Sequence, residues 1–482
     1  MKRCVPMWVA SRAVVALCAA VGFGGLLSGC ESLPVKVNNL LPNSMGPGSS
    51  IKVGQLPPAP PERQWPDAAQ DVRDQRAQGY GLVQLPHMQA YLNGLLAKIK
   101  QGAGVPHWPG AVYITAVSEL DAYCTGAGNI YLSLGWLESA ESEDEIVALL
   151  AHEFGHVYLN AHQLGTAVTT GDQAAKWTAV GVALAKKTGN VAGWSVVDSL
   201  LLSYEAGKST LAPAWGRKEE EWADSFGATL SLQLNYSFSR GFKTFLERQA
   251  TWETQNAQRR ESEKQQLLAS LKQASEEQLR KQNAGPKNGA QEALQEMQIA
   301  LNGGVVEASQ GTGNARKGAW RRITQTHPDT EARLTALTAQ VVPLMEGRPR
   351  PAPTIEPWRR ALAQPQTAAV LTNYRLATEA QEALQLQDHA TARKLALAAA
   401  TGPTAGHALP VMLVSLTEGH ASADENRKRR EPVGLAIDPL DRNLRSEPDR
   451  AWHIYALRAN RLLSAGQAGQ AKAVISDGLD YF

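Results

Sequence analysis

Val147-Ala148-Leu149-Leu150-Ala151-His152-Glu153-Phe154-Gly155-His156-Val157 contains the pattern H-E-x-x-H, and its reading decides the fold. His152 and His156 stand one helical turn apart, so on an α-helix both imidazoles leave the same face and reach one metal ion. Glu153 sits beside the first ligand, where its carboxylate reaches a metal-bound water without binding the metal. Two neutral imidazoles and one further carboxylate suit Zn²⁺, one ion per chain, whose catalytic sites keep an open fourth position. The flanks predict a helix. Ser142 and Glu145 have the spacing of a capping box, and Ile146, Leu149, Leu150, Phe154 and Val157 form an apolar stripe. With only 10 histidines in the chain, a chance H-E-x-x-H is expected on the order of 0.01 times.

Outward from this helix, two partners compete for the third metal position. His162 lies ten residues after His152, but the peptidases that use this offset need a glycine where Leu159 stands. The alternative is Glu219-Glu220-Glu221-Trp222-Ala223-Asp224. Glu220 and Asp224 share a helix face, so Glu220 is expected to bind metal while Asp224 orients a ligating imidazole from behind. Immediately before the metal helix, Asn129, Ile130, Tyr131 and Leu132 read as a strand. Two places are open to it, the edge of a substrate cleft or the interior of a small sheet.

The chain has 482 residues, enough for two or three units, with 48 basic and 46 acidic side chains. Its near-neutral balance gives no support for nucleic-acid binding. Residues 1–29 read as a secretory signal: Lys2, Arg3 and Arg12, then an apolar run ending Leu27-Ser28-Gly29-Cys30. This end resembles a bacterial lipobox, which implies acylation of Cys30 and attachment to a membrane through that lipid. Glu31 in place of aspartate favours the outer membrane over the inner. Once Cys4, Cys18 and Cys30 are accounted for, only Cys124 remains, so no intramolecular disulfide is expected. A lone cysteine reads as a small buried apolar residue.

Residues 30–66 are rich in Pro, Gly, Ser and Asn and read as a tether. Residues 67–342 carry the metal motifs, with a helix around Met88 to Lys100, a strand over 111–117 and a polar helical insertion over about 245–315. Residues 343–357 are proline-rich and read as a linker. From 358 to 482 the chain is rich in alanine and leucine. Ala392, Ala396, Ala399 and Pro403, then Gly466, Ala471, Ile475 and Gly478, fall at positions of a tetratricopeptide-type repeat or of a generic α-hairpin.

His152-Glu153-Phe154-Gly155-His156 followed by Glu220-x-x-Ala223-Asp224 resembles the zinc metallopeptidases of the CAAX-prenyl-protease and HtpX type, metallopeptidase family forty-eight. Thr326-His327-Pro328 with Arg333 resembles their later histidine-proline segment, which implies that His327 or Arg333 stabilises the oxyanion. The plan as a whole is similar to the periplasmic, β-barrel-assembly-enhancing members of that family and their lipoprotein relatives. The resemblance implies an α+β, predominantly helical, gluzincin-like domain with a small sheet, followed by a tetratricopeptide-like α-helical domain. It also implies a lipid-anchored periplasmic zinc metalloendopeptidase acting on unfolded or misassembled envelope proteins, with partner proteins on the C-terminal helices. The rival expectation is a chaperone or assembly scaffold whose metal domain stays closed.

Overall fold

The computed structural model describes residues 51–60, 64–78, 81–159, 217–255, 330–386, 388–418, 438–446 and 449–482. The metal-motif helix lies at its centre. This is α4 (Glu143–Leu159), buried from Glu143 to Tyr158. Before it come α1 (Ala68–Gln78), α2 (Pro86–Gly102), three strands and the short α3 (Leu134–Ser139). After it come α5 (Arg217–Gln233), a π-helical turn (Ser239–Lys243) that runs into helical residues 244–255, and α6 (Thr330–Met345).

The strands are β1 (Val112–Thr115), β2 (Ala122–Cys124) and β3 (Ile130–Ser133), in the order β1-β3-β2. β1 pairs with β3 in parallel and β2 pairs with β3 antiparallel. The mostly helical chain with one small sheet is α+β, in line with the expected class. The cleft-edge reading of Asn129, Ile130, Tyr131 and Leu132 is overturned, because β3 is hydrogen-bonded on both sides and buried throughout. Its polar groups serve another purpose. The Tyr131 hydroxyl and Asn129 Nδ2 both donate to Asp71 Oδ2, at 2.8 and 2.7 Å, and so fasten α1 across the sheet. β1 and β2 take the two outer places among the described strands.

α4 is held at its N-terminus by three successive carboxylates. Glu143 accepts from the hydroxyls of Tyr91 on α2 and Tyr236 after α5. Asp144 accepts from Ser237 N, Arg240 Nε and the Thr354 hydroxyl. Glu145 is gripped by Arg248, while Ser142 Oγ accepts from Glu145 N as the helix cap. Negative charge in a first helical turn also complements the helix dipole.

Described parts of the expected tether and linker are hydrogen-bonded to the surrounding helices. Within the expected tether, the Gly54 N–H donates to Thr229 Oγ1 on α5, Pro57 O accepts from Tyr158 on α4, and Ile51 and Val53 are buried. Within the expected linker, Thr354 O accepts from Glu143 N, and Pro351 O and Ala352 O accept from Arg240. Just beyond it, the fully buried Trp358 donates through its indole to Ala140 O. Ile51 to Phe482 forms one compact unit with one main core from Val53 to Leu457.

The C-terminal part comprises α7 (Ile355–Leu362), α8 (Pro365–Gln385), α9 (His389–Ala399), α10 (Ala408–Leu416), α11 (Pro439–Leu444), α12 (Trp452–Ser464) and α13 (Ala468–Tyr481). α8 packs on α9, and α12 on α13. Ala392, Ala396 and Ala399 have no exposed surface, which lets α9 lie close to α8. Gly466 turns the second hairpin at φ +76°, a conformation that favours glycine. Cys30, His162, the apolar run of 174–206 and most of the polar insertion, with His327, lie outside the described residues. Among those described, no helix is long and apolar enough to cross a membrane.

His407, at the start of α10, is buried, and burial pushes its pKa down to about 4. The helix N-terminus it caps also disfavours a second proton. Between about pH 6.5 and 4 the unfolded chain takes up a proton that the folded chain refuses, so stability falls as pH drops through this window, by up to about 3 kcal/mol. A His407→Gln variant is expected to lose less stability than the parent between pH 6.5 and 4, measured by urea denaturation at each pH.

Candidate metal centre

The centre is built where α4 and α5 cross at very short range. A Cβ on Gly155 would lie 3.1 Å from the Cα of Ala223, and one on Gly227 would lie 3.0 Å from the His152 backbone nitrogen and 2.6 Å from the Phe242 ring. Without side chains at these two positions the helices meet almost backbone to backbone, and Glu220 on α5 is carried to the imidazoles of α4.

His152 Nε2 and His156 Nε2 are 3.2 Å apart, His156 Nε2 is 3.3 Å from Glu220 Oε1, and His152 Nε2 is 3.6 Å from Glu220 Oε2. Ligands at 2.0–2.1 Å around a tetrahedral Zn²⁺ stand about 3.3 Å from one another. The separations are close to that spacing, and the three residues are positioned to bind one metal ion.

Behind the donors lies a second layer of charge. Asp224 Oδ1 accepts from His152 Nδ1 at 2.9 Å, which leaves the lone pair of Nε2 pointing at the metal position. Arg333, on α6, donates through Nε and Nη2 to the two oxygens of Asp224, both at 2.8 Å, and its Nη1 lies 2.7 Å from Glu220 Oε2. Such a two-pronged contact is the strongest form of arginine–carboxylate pairing. Burial disfavours charge on all of these groups. For Asp224, Arg333 and His152 together outweigh it and hold the carboxyl below its usual range. For Arg333, the two carboxylates outweigh it and keep the guanidinium protonated. For His152 burial prevails, lowering its pKa and leaving it neutral, the form in which an imidazole binds metal.

Most of the residues singled out in the sequence that the structure describes fall at one place. His152, Glu153, His156, Glu220 and Asp224 come together, all buried. Arg333, for which the resemblance implied a place beside the oxyanion, joins them here from behind the ligands. It has 1% of its surface exposed and is committed to Asp224 and Glu220. Asn129 to Leu132 lie in the sheet instead. Cys124 is fully buried on β2, with its thiol pushed well up by burial and then by the field of Glu153. It is not among the grouped ligands. Gly155 and Gly227 were missed. A glycine inside each of two pairing helices is the only trace they leave in the sequence.

A helix-borne pair of imidazoles, a carboxylate from a second helix and a glutamate beside the first ligand define the centre of a metallopeptidase. The model of peptidase family M48 matches residues 86–341, just over half the chain, and the chain belongs to that family. Peptidases of this family are zinc-dependent. No curated protein matches the chain.

Gly227→Val is expected to force α4 and α5 apart and to weaken metal binding at least about tenfold. The measurement is zinc competition against a chromophoric chelator, with an unchanged far-ultraviolet circular dichroism spectrum showing that the helices persist.

Proposed function

We propose that the chain is a zinc-dependent metalloendopeptidase, anchored by a lipid on Cys30 to the periplasmic face of the outer membrane and acting on unfolded or misassembled envelope proteins. The observation that carries the peptidase reading is the triangle of donors at His152, His156 and Glu220 with Glu153 next to it. The basic and apolar N-terminus ending in Leu27-Ser28-Gly29-Cys30 supports the anchor and the address. The helical hairpins after Trp358 support a tetratricopeptide-like role in holding clients.

Zinc bound at this triangle would supply Lewis acidity, polarising the scissile carbonyl and acidifying the attacking water. Glu153 takes a proton from that water and delivers it to the leaving amine. Asp224 keeps His152 in the tautomer that presents Nε2 forward. Arg333 fixes Glu220 Oε2 from behind and so aims Oε1 at the metal position. Two imidazoles and one carboxylate form a donor set well suited to a divalent cation.

A scaffold or chaperone reading has one observation in its favour. His152, Glu153, His156 and Glu220 have no exposed surface. A resting centre of this kind takes substrate only after a movement that uncovers it, and a scaffold would never need that movement.

Glu153→Gln is expected to keep one zinc per chain and to lower cleavage of an unfolded test protein by at least about a hundredfold. Cleavage at the parent rate would remove Glu153 from its role as base. Full rescue of a deletion strain by the same variant would favour the scaffold.

A further inference from the structure

An open cleft of about 540 Å³ lies beside the metal centre and is not used by the ligand network. One wall is a face of the helical residues 244–255, where Thr244, Thr251 and Trp252 come up together. The opposite wall is Ser118 and Leu120, from the connection into β2, and Gly135 at the start of α3. The neighbour of Thr244, Phe245, has its ring 5.8 Å from the His152 ring and 5.4 Å from that of Trp136. The helical segment that walls the cleft thus also packs on a metal ligand.

β2 leads from the cleft toward the centre: Leu120 lines the cleft just before the strand, and the strand packs against α4, which carries the metal ligands.

The charge around the cleft is unequal. Glu138 and Glu247 line it, and Glu141 and Glu145 lie behind Arg248. Arg248 is committed to the buried Glu145 at 2.5 Å and to Glu141 at 3.4 Å. Among the described residues, Glu138 and Glu247 pair with long, solvent-exposed arms, Arg375 at 2.8 Å and Lys243 at 3.1 Å. Exposed pairs of this type contribute little, on the order of 0–1 kcal/mol, so an incoming cation can replace either arm at small cost. Leu120 and the half-buried Trp252 offer apolar surface to an aliphatic stem, and an indole face also attracts a cation.

We propose that this cleft is a subsite for a lysine or arginine side chain of an extended peptide substrate, on one side of the scissile bond. The proposal rests on the peptidase reading of the neighbouring metal centre. It predicts that the enzyme selects a basic residue at one or two positions on that side of the cleaved bond and is indifferent to charge on the other.

The test uses the full-length, zinc-loaded protein and internally quenched peptides identical except for one lysine, norleucine or glutamate, placed at successive positions on either side of the cleaved bond. The expected kcat/KM for lysine exceeds that for glutamate by about fivefold at one or two positions on one side only. The ratio falls to about one in a Glu138→Gln/Glu247→Gln variant and at high salt. Equal rates for lysine and glutamate peptides in the parent, or an unchanged ratio in the double variant, would overturn the subsite. Fluorescence anisotropy of the same peptides on the zinc-loaded Glu153→Gln protein separates the two readings. If no peptide is cleaved by the parent yet lysine peptides bind about fivefold tighter than glutamate peptides, the subsite stands and the peptidase reading falls. If binding shows no preference, the subsite is wrong whatever the chemistry.

Discussion

The centre depends on two helices approaching closely enough for a carboxylate of one to complete the coordination begun by the other. Gly155 and Gly227 make that approach, and the charge it brings inside must then be balanced. His152, Glu220, Asp224 and Arg333 are all at or below 2% exposure. Isolated in such surroundings any one of the ions would cost several kcal/mol, so removing one partner leaves an uncompensated charge rather than a mere gap. The arrangement is tolerable because Arg333 faces both carboxylates at once and because a bound dication would neutralise what the guanidinium leaves over.

The other end of α4 explains why the rest of the chain gathers around it. Three neighbouring acids, Glu143, Asp144 and Glu145, each reach a different part of the molecule: α2 and the turn after α5, the proline-rich segment before α7, and the helical residues 244–255. Arg333 lies on α6, whose Gln340 receives Val53 N from the docked N-terminal segment. The segments that compositional reading places outside the domain are thus tied to the helices that carry the metal ligands. The C-terminal hairpins reach the sheet through α1, where Arg76 donates to the Tyr481 hydroxyl at 3.0 Å while Asp71 holds Thr125, Asn129 and Tyr131.

What the sequence discloses follows the range of the interaction. His152, Glu153 and His156 are legible because four-residue spacing on a helix is a local property, and Glu220 with Asp224 for the same reason. The strand at Ile130 is legible from its apolar run, but periodicity does not name its neighbours, and its interior place follows only from pairing on both sides. β2, three residues long, has no period to detect. Arg333 is visible as a member of a motif, yet its partner Asp224 is 109 residues away, and no local pattern distinguishes a guanidinium that faces substrate from one that faces carboxylates. Proline-rich composition reads as linker because such segments lack a core of their own, but Thr354 and Trp358 show that a few polar anchors and one large ring suffice to dock them.

Zinc K-edge absorption spectroscopy of the metal-loaded protein tests the centre most directly. Two imidazole nitrogens and one carboxylate oxygen from the protein, all at about 2.0–2.1 Å, with the imidazole scattering lost in part when His156 is replaced and the carboxylate contribution lost when Glu220 is replaced, is the predicted result. A sulfur shell at about 2.3 Å, or three imidazoles with no dependence on Glu220, would contradict it, placing Cys124 or another histidine where α5 is held to bring its carboxylate.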